Sequence, residues 1–319
     1  KTYDYTLKDK LVDNRFNRNF LAFEDAYACN LDDSARKGIN INVAEFPYLW
    51  IFGNGGTGYY PTYTGDTFLI SGAGCIYGGG VNDYDSVTAI DLENKSLTTN
   101  FNFISKFSNL SSINVVDNNI PVFDLTGSNA TDIRCGNNNI SSLVIPNLNI
   151  TYLTFYTNNI SSVDFTGLTQ IIRIDGGANN LSVADLADCV LLEYLRLSSN
   201  NISIINVNNC PLLTYLNVGN NGVISSLDVS NNPLLYQINC DTNNLTDLDI
   251  SNNPLLRTLN AHNNKLNNLV NSQILIDLDG HGLTNGYFQS SIFGGGSLTT
   301  AGTTAKANLQ GKGWTIVGI

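Results

Sequence analysis

The chain has 319 residues, 42% of them hydrophobic and only 13% charged, with a formal net charge of −11. That acidity argues against nucleic acid and anionic membrane surfaces as partners, since both carry the same sign. No apolar run is long enough to span a membrane, no stretch reads as a signal peptide, and a chain without Met that starts at Lys1 reads as trimmed or processed.

Residues 1–86 do not repeat. Leu7 to Ala28 is polar and aromatic with some helical character, and Asn40 to Phe52 (NINVAEFPYLWIF) reads as strand. The glycines of GNGGTGYYPTYTGDTF and LISGAGCIYGGG lead into neither the Lys-Ser/Thr of a phosphate loop nor a helical pattern. They read as short strands and turns, and no cofactor is implied. The segment is expected to be mostly β, to cap the first coil of a repeat array, and to attach the chain to something larger.

Residues 87–283 repeat. The first copy is degenerate: Val87, Ile90, Leu92 and Leu97 fit an apolar frame, with Lys95 where later copies carry asparagine. The frame then sharpens into LEYLRLSSNNI (from Leu192), LTYLNVGNNGV (from Leu213), LYQINCDTNNL (from Leu235) and LRTLNAHNNKL (from Leu256). Its marker asparagines are Asn118, Asn138, Asn158, Asn179, Asn200, Asn221, Asn243 and Asn264, spaced 20, 20, 21, 21, 21, 22 and 21 residues apart. A last degenerate copy uses Ile276, Leu278 and Leu283, with His281 at the marker. A fixed period with L-x-x-L-x-L-x-x-N-x-L letters is a leucine-rich repeat, one short strand per coil. About ten coils are expected, forming a parallel sheet on one side of a β-rich solenoid.

Physical chemistry accounts for the letters. The two central apolar positions alternate, so both point inward from one strand. The marker asparagine sits where the chain leaves that strand, and its amide both donates and accepts. Turn backbone left unpaired there would cost about 1–3 kcal/mol per group. Pro211, Pro233 and Pro254 mark turns on the far side, where no amphipathic helix pattern occurs. Cys135 and Cys240 take the second inward position, and read as small core residues. Cys189 and Cys210 are equivalent in adjacent coils; they could bridge or form a buried thiol pair, and the thiol pair is the expected arrangement. Cys29 and Cys75 have no place in the frame.

Residues 284–319 change character. TNGYFQSSIFGGGS reads as a Gly-rich excursion. TTAGTTAKANLQGKG reads as a short helix with Ala305, Leu309 and Ala301 inward and Gly311 or Gly313 at its C-terminal cap. WTIVGI reads as a final strand beside Ile276–Leu278, with Trp314 covering the open apolar end.

The units LDVSNNPLLYQINCDTNNLT and LDISNNPLLRTLNAHNNKLN resemble the leucine-rich repeats of Bacteroidetes surface proteins and of phages that infect those bacteria. The tail TTAGTTAKANLQGKGWTIVG resembles the ends of the phage-type proteins. The resemblance covers about two-thirds of the chain. It implies binding, adhesion or a virion surface role, and it carries no catalytic residues.

In such a solenoid, function sits on the outward strand positions. Four residues before each marker the frame places Asn114, Arg134, Thr154, Asp175, Arg196, Asn217, Asn239, Asn260 and Asp277. Six before, it places Ser112, Asp132, Tyr152, Arg173, Tyr194, Tyr215, Gln237 and Thr258. Two before, it places Tyr156, Asp241, His262 and Asp279. The candidate ligand face is Arg134, Tyr152, Tyr156, Arg173, Tyr194, Arg196, Tyr215, Asn217, Asn239 and Asp241, where aromatic rings beside hydrogen-bonding groups suit a sugar or a polar protein surface. The plain alternative is a solvated sheet, since Tyr, Thr and Arg favour exposed strands for β-propensity alone.

No metal site is expected: His262 aligns only with Asp241, and His281 only with Asp279, where three or four ligands are needed. His281 reads as a substitute for the marker asparagine. Asp277 and Asp279 face the sheet side rather than a cleft, which disfavours a glycosidase. The N-x-S/T triplets at Asn109, Asn139, Asn159, Asn180, Asn201 and Asn244 follow from the repeat letters and do not read as glycosylation signals.

The expectation is a non-enzymatic extracellular protein. The first reading is a phage virion spike or tail protein: residues 1–86 attach it to other virion proteins, 87–283 present the solenoid to a host cell-surface glycan or protein, and 284–319 cap it. The others are a secreted bacterial adhesin and a purely structural virion component. Oligomerisation is left open.

Overall fold

The computed structural model describes residues 49–52, 58–59, 74–80, 83–94, 98, 108–145 and 149–319. The expected helix at 7–28, the first part of the strand at 40–52, Cys29, Lys95 and Leu97 lie outside them. The chain divides into two compact units, Lys1–Ile150 with Thr157–Asn159, and Thr151–Tyr156 with Ile160–Ile319.

In the first unit the strands are β1 (Leu49–Phe52), β2 (Gly58–Tyr59), β3 (Gly74–Gly80), β4 (Asp83–Asp91), β5 (Ser112–Asn114), β6 (Val122–Asp124), β7 (Asp132–Arg134) and β8 (Ser142–Val144). β1 pairs antiparallel with β2 and parallel with β3, and β3 pairs antiparallel with β4. From β4 onward the pairing turns parallel, β4 to β5 and β5 to β7. β6 and β8 pair separately on another side of the coils. β4 is therefore where irregular strands hand over to the repeat, and Ile90 and Leu92 are buried as the frame requires.

The second unit contains β9 (Tyr152–Thr154), β10 (Arg173–Asp175), β11 (Val183–Asp185), β12 (Tyr194–Arg196), β13 (Ile204–Asn206), β14 (Tyr215–Asn217), β15 (Gln237–Asn239) and β16 (Thr258–Asn260). They are followed by α1 (Asn268–Gly280), β17 (Tyr287–Gln289), α2 (Thr300–Gly311) and β18 (Thr315–Val317). β9, β10, β12, β14, β15, β16, β17 and β18 form successive parallel pairs without a register shift. β11 and β13 pair on the far side, as short extended structure rather than helix. Leu153, Ile174, Leu195, Leu216, Ile238, Leu259 and Phe288 stack at the strand centres with no exposed surface. Each such burial contributes about 1.5–3 kcal/mol.

The marker asparagines close the stack. Asn200 donates from Nδ2 to Gly176 O of the preceding coil (3.0 Å) and to Leu197 O of its own (3.1 Å). Its Oδ1 accepts from Leu181 N–H at 3.0 Å, again in the preceding coil. Asn138, Asn179 and Asn264 repeat this pattern. One amide thus satisfies turn groups of two coils. The residue before each marker is left-handed, including Asp117, Asn137, Thr157, Ala178, Ser199, Asn220, Thr242 and Asn263, with φ between 51° and 58°. That conformation turns the chain off the strand and lets the asparagine swing inward.

Several expectations are corrected. Eight markers bound about seven regular turns, and the flanking coils of β4 and β17 carry no marker asparagine. Ile276 and Leu278 lie on helix α1, not on a strand. Asn267 caps that helix, and Asn271, Ser272, Ile274, Leu275 and Leu278 form its buried side at helical spacing. Asp277 and Asp279 are accordingly helical, not sheet, residues, and His281 is the helix C-cap rather than a marker. The strand of that coil is β17, within the segment read as a loose excursion; Phe288 follows its in-register neighbour Leu259 by 29 residues because α1 is inserted. The final strand β18 pairs with β17 rather than with 276–278.

Helix α2 and its buried Ala305 and Leu309 are as expected, but Ala301 is exposed and Gly302 is the buried neighbour. A Cβ on Gly302 would stand 2.6 Å from Ser272 Cβ, so the glycine lets α2 approach α1. Gly313 takes φ +82° after the Lys312 cap. Trp314 is 4% exposed and its Nε1–H donates to Leu283 O at 2.9 Å. In the coil from Leu213 the buried residue is Ile224, while Val223 is 39% exposed. Cys135, Cys189, Cys210 and Cys240 are buried free thiols.

Candidate functional site

The strand face of the second unit assembles most of the candidate residues. Register places Tyr152, Arg173, Tyr194, Tyr215, Gln237 and Thr258 in one column, and Thr154, Asp175, Arg196, Asn217, Asn239 and Asn260 in the next. The two columns flank the buried central row, so alternation alone turns them outward.

The first column is a stack. The Tyr194 and Tyr215 rings lie parallel, 4.4 Å apart and 3° from coplanar. The Arg173 guanidinium lies over the other side of Tyr194, 3.7 Å from its centroid. Tyr152, 41% exposed, is the in-register neighbour of Arg173 on the next coil. Parallel-sheet spacing of about 4.8 Å is close to stacking distance, so equivalent positions on adjacent coils stack without distortion. Burial, with the Tyr215 phenol and the Asp175 carboxylate beside it, raises the Tyr194 hydroxyl above its ordinary value.

Asp175 is the exception among outward positions, being only 7% exposed. Arg196 Nη1 approaches its Oδ1 at 3.2 Å, and Arg173 Nη2 its Oδ2 at 3.8 Å. It serves as a shared counterion holding two guanidiniums rather than as a free ligand group. Gly177 gives Arg196 room: a Cβ there would stand 3.2 Å from its Cζ.

The asparagines of the second column also have local work. Asn217 Oδ1 accepts from Gly219 N–H (3.2 Å) and Asn239 Oδ1 from Asp241 N–H (3.3 Å). Each closes the turn after its strand, as Asn114 and Asn260 do. Asn217 Nδ2 lies 3.4 Å from the Tyr215 hydroxyl. Asp241 Oδ2 accepts from the Thr242 hydroxyl at 2.9 Å, and a Cβ on Gly219 would stand 2.3 Å from Asp241 Oδ1. Tyr156 is half-buried in this unit. Arg134 is not part of the cluster: it lies in the first unit, where it is paired with Asp132 at 2.6 Å.

Among the described residues, no three His, Cys, Asp or Glu side chains converge as a metal site needs. His262 Nδ1 is buried without a partner, as are both ring nitrogens of His281. Among the same residues no helix is long and apolar enough to cross a membrane.

A second ladder escaped the sequence reading. Asn232 and Asn253 are fully buried in the far turns. Asn232 donates to Val207 O (3.0 Å) and Cys210 O (2.8 Å); Asn253 donates to Val229 O (3.0 Å) and Asn232 O (3.0 Å). They occupy the positions held by Cys189 and Cys210 in earlier coils. The signal was the repeated SNNPLL, where the second asparagine keeps a fixed offset to the marker.

No protein-family model matches the sequence, and no curated protein matches it by sequence. Solved structures do match by shape. YopM from Yersinia enterocolitica is 22% identical with a TM-score of 0.55, over 70% of this chain and 46% of its own. A leucine-rich-repeat protein of Leptospira interrogans is 14% identical with a TM-score of 0.51, over 81% of this chain and 83% of its own. The functional domain of InlJ from Listeria monocytogenes is 23% identical with a TM-score of 0.42, over 67% and 56%. The matched part is about half of the YopM and InlJ chains. What YopM and the Leptospira protein share with this chain is architecture, and the architecture is a leucine-rich-repeat β-solenoid.

Proposed function

We propose that this chain is a non-enzymatic extracellular recognition protein that holds a partner on the strand face of its second unit. The observation that carries this reading is the column Tyr152, Arg173, Tyr194 and Tyr215, a half-exposed stack fixed by sheet register. Tyr and Arg supply large rigid contact area with hydrogen-bonding edges, the combination that dominates recognition energetics. Stacking and the shared Asp175 pre-order these side chains, which lowers the entropy lost on binding. The leucine-rich-repeat architecture supports the same role, because a row of equivalent outward positions makes an extended contact surface.

In its fuller form, the chain is displayed on a phage virion as a spike or tail protein. The partner is then a host cell-surface glycan or protein, and residues 1–86 attach to other virion proteins. The tail resemblance and the low-charge, Asn-rich face support this version. The test is attachment of the purified chain to the surface of its host cells. Tyr194→Ala with Tyr215→Ala is expected to reduce attachment at least tenfold while the far-ultraviolet circular dichroism stays unchanged. Unaltered attachment removes the strand face from the reading. Detection of the chain in purified virions decides the display.

A further inference from the structure

Resting on that strand-face reading, we infer that the partner is an acidic sugar chain whose carboxylate is seated on the guanidiniums of Arg173 and Arg196.

The strand residues of β9, β10, β12 and β14 that face outward are Tyr152, Thr154, Arg173, Asp175, Tyr194, Arg196, Tyr215 and Asn217. They carry two positive charges and one negative, and the exposed Glu193 stands directly before Tyr194. Asp175 can neutralise only one of the two guanidiniums. Arg196 uses Nη1 on it, whereas Arg173 stands 3.8 Å away, beyond hydrogen-bond distance. Arg173 is held by that longer ion pair and by its flat contact with Tyr194. Its planar fork of donors, 39% exposed, is oriented yet makes no hydrogen bond to another described residue. A fixed guanidinium with unused donors matches a carboxylate bidentately.

The surroundings favour a sugar over an acidic protein segment. The outward rows of β9, β10, β12, β14, β15 and β16 hold Tyr, Arg, Asp, Asn, Gln and Thr and not one aliphatic side chain. The fully buried centre of a protein interface is more apolar than these rows. A pyranose instead offers C–H faces to aromatic rings and hydroxyls to amides. Tyr152, Tyr215, Gln237 and Asn239 supply these on both sides of Arg173.

The experiment uses the full chain on an array of sialylated and uronic-acid glycans, each beside its carboxyl-reduced counterpart, together with poly-glutamate. The expected result is binding to one class of acidic glycan, at least tenfold weaker after carboxyl reduction. On that glycan, Arg173→Gln should lose at least tenfold, and Arg173→Lys, which keeps the charge but not the fork, should lose severalfold. Lys265→Gln, an exposed charge change off this face, should leave affinity unchanged. Equal binding of acidic and reduced glycans overturns the proposal, as does binding to poly-glutamate alone or to nothing on the array. Each of these leaves the strand-face reading to the tyrosine attachment assay, which does not depend on a carboxylate.

Discussion

Cys210 and Asn232 hold the same place in adjacent coils and do the same job with different strength. The Cys210 thiol donates to Leu186 O at 3.6 Å, whereas Asn232 Nδ2 reaches Val207 O at 3.0 Å and Cys210 O at 2.8 Å. Burial pushes the Cys210 thiol up to about 11, which keeps it protonated and a donor. Asn232→Ala should therefore destabilise the chain by about 1–2 kcal/mol, because Val207 O and Cys210 O each lose one of two donors and keep only the N–H of Cys210 and of Leu213. Asn232→Cys restores a weak donor and should cost less. Urea midpoints of the two variants give the comparison; equal losses would mean that the bonds to Val207 and Cys210 contribute nothing.

A second prediction concerns the left-handed turn. Ala178 takes φ +55°, where Asn94, Asn137, Asn220 and Asn263 stand in other coils. A side chain with Cβ costs about 1–2 kcal/mol there, and asparagine tolerates it best. Ala178→Asn should raise stability by about 0.5–1 kcal/mol. Ala178→Gly should gain less, since glycine adds freedom to the unfolded chain. A thermal midpoint that falls in the asparagine variant would refute the strain assignment.

These two positions show what the sequence discloses and what it does not. The marker asparagines and central apolar residues could be read directly, because a strict period permits only one register. The candidate columns followed from the same period. Helix α1 could not, since NLVNSQILIDLDG supplies apolar letters that also fit the strand frame at Ile276 and Leu278. Only its Asn267 cap and helical burial separate the two. Asp175 looked exposed from alternation, yet two arginines cover it. Such pairing depends on side-chain length across coils, which periodicity does not encode.

The longest spacing, 22 residues between Asn221 and Asn243, yields a third prediction. Other marker amides accept from a backbone N–H two residues after the preceding marker, as Asn221 does from Ile202. Gly222 displaces that position, burying Ile224 and exposing Val223, and Asn243 Oδ1 is left buried without a partner. Deleting Gly222 would move Ile224 to the regular place, with its N–H facing Asn243 Oδ1. Satisfying that acceptor should stabilise by about 1–2 kcal/mol, read as a higher urea midpoint. A deletion variant less stable than the parent would show that the extra residue relieves some other constraint.

The fourth prediction is acid sensitivity of the far turns. Asp228 is held below its ordinary value by the hydroxyl and N–H of Ser230, and Asp249 by the N–H and hydroxyl of Ser251. The Thr126 and Thr166 hydroxyls and N–H groups do the same for Asp124 and Asp164. A carboxyl depressed in the folded state binds fewer protons there than in the unfolded chain. Its contribution is therefore present above the unfolded value of about 3.9 and lost as pH falls through the folded one. Burial raises Asp277, which acts in the opposite direction. Asp279 is lowered as well, its burial outweighed by hydrogen bonds from Asn308 and Lys312. Five depressed groups against one raised make the expected sign a fall in thermal midpoint below about pH 4. Asn206 already fills the equivalent position, its Oδ1 accepting from Asn208 N–H at 3.2 Å without a charge. Replacing Asp228 and Asp249 by Asn should keep these turns and shrink the acid-induced drop. A double variant whose midpoint falls as steeply as the parent's would place the acid-sensitive groups elsewhere in the chain.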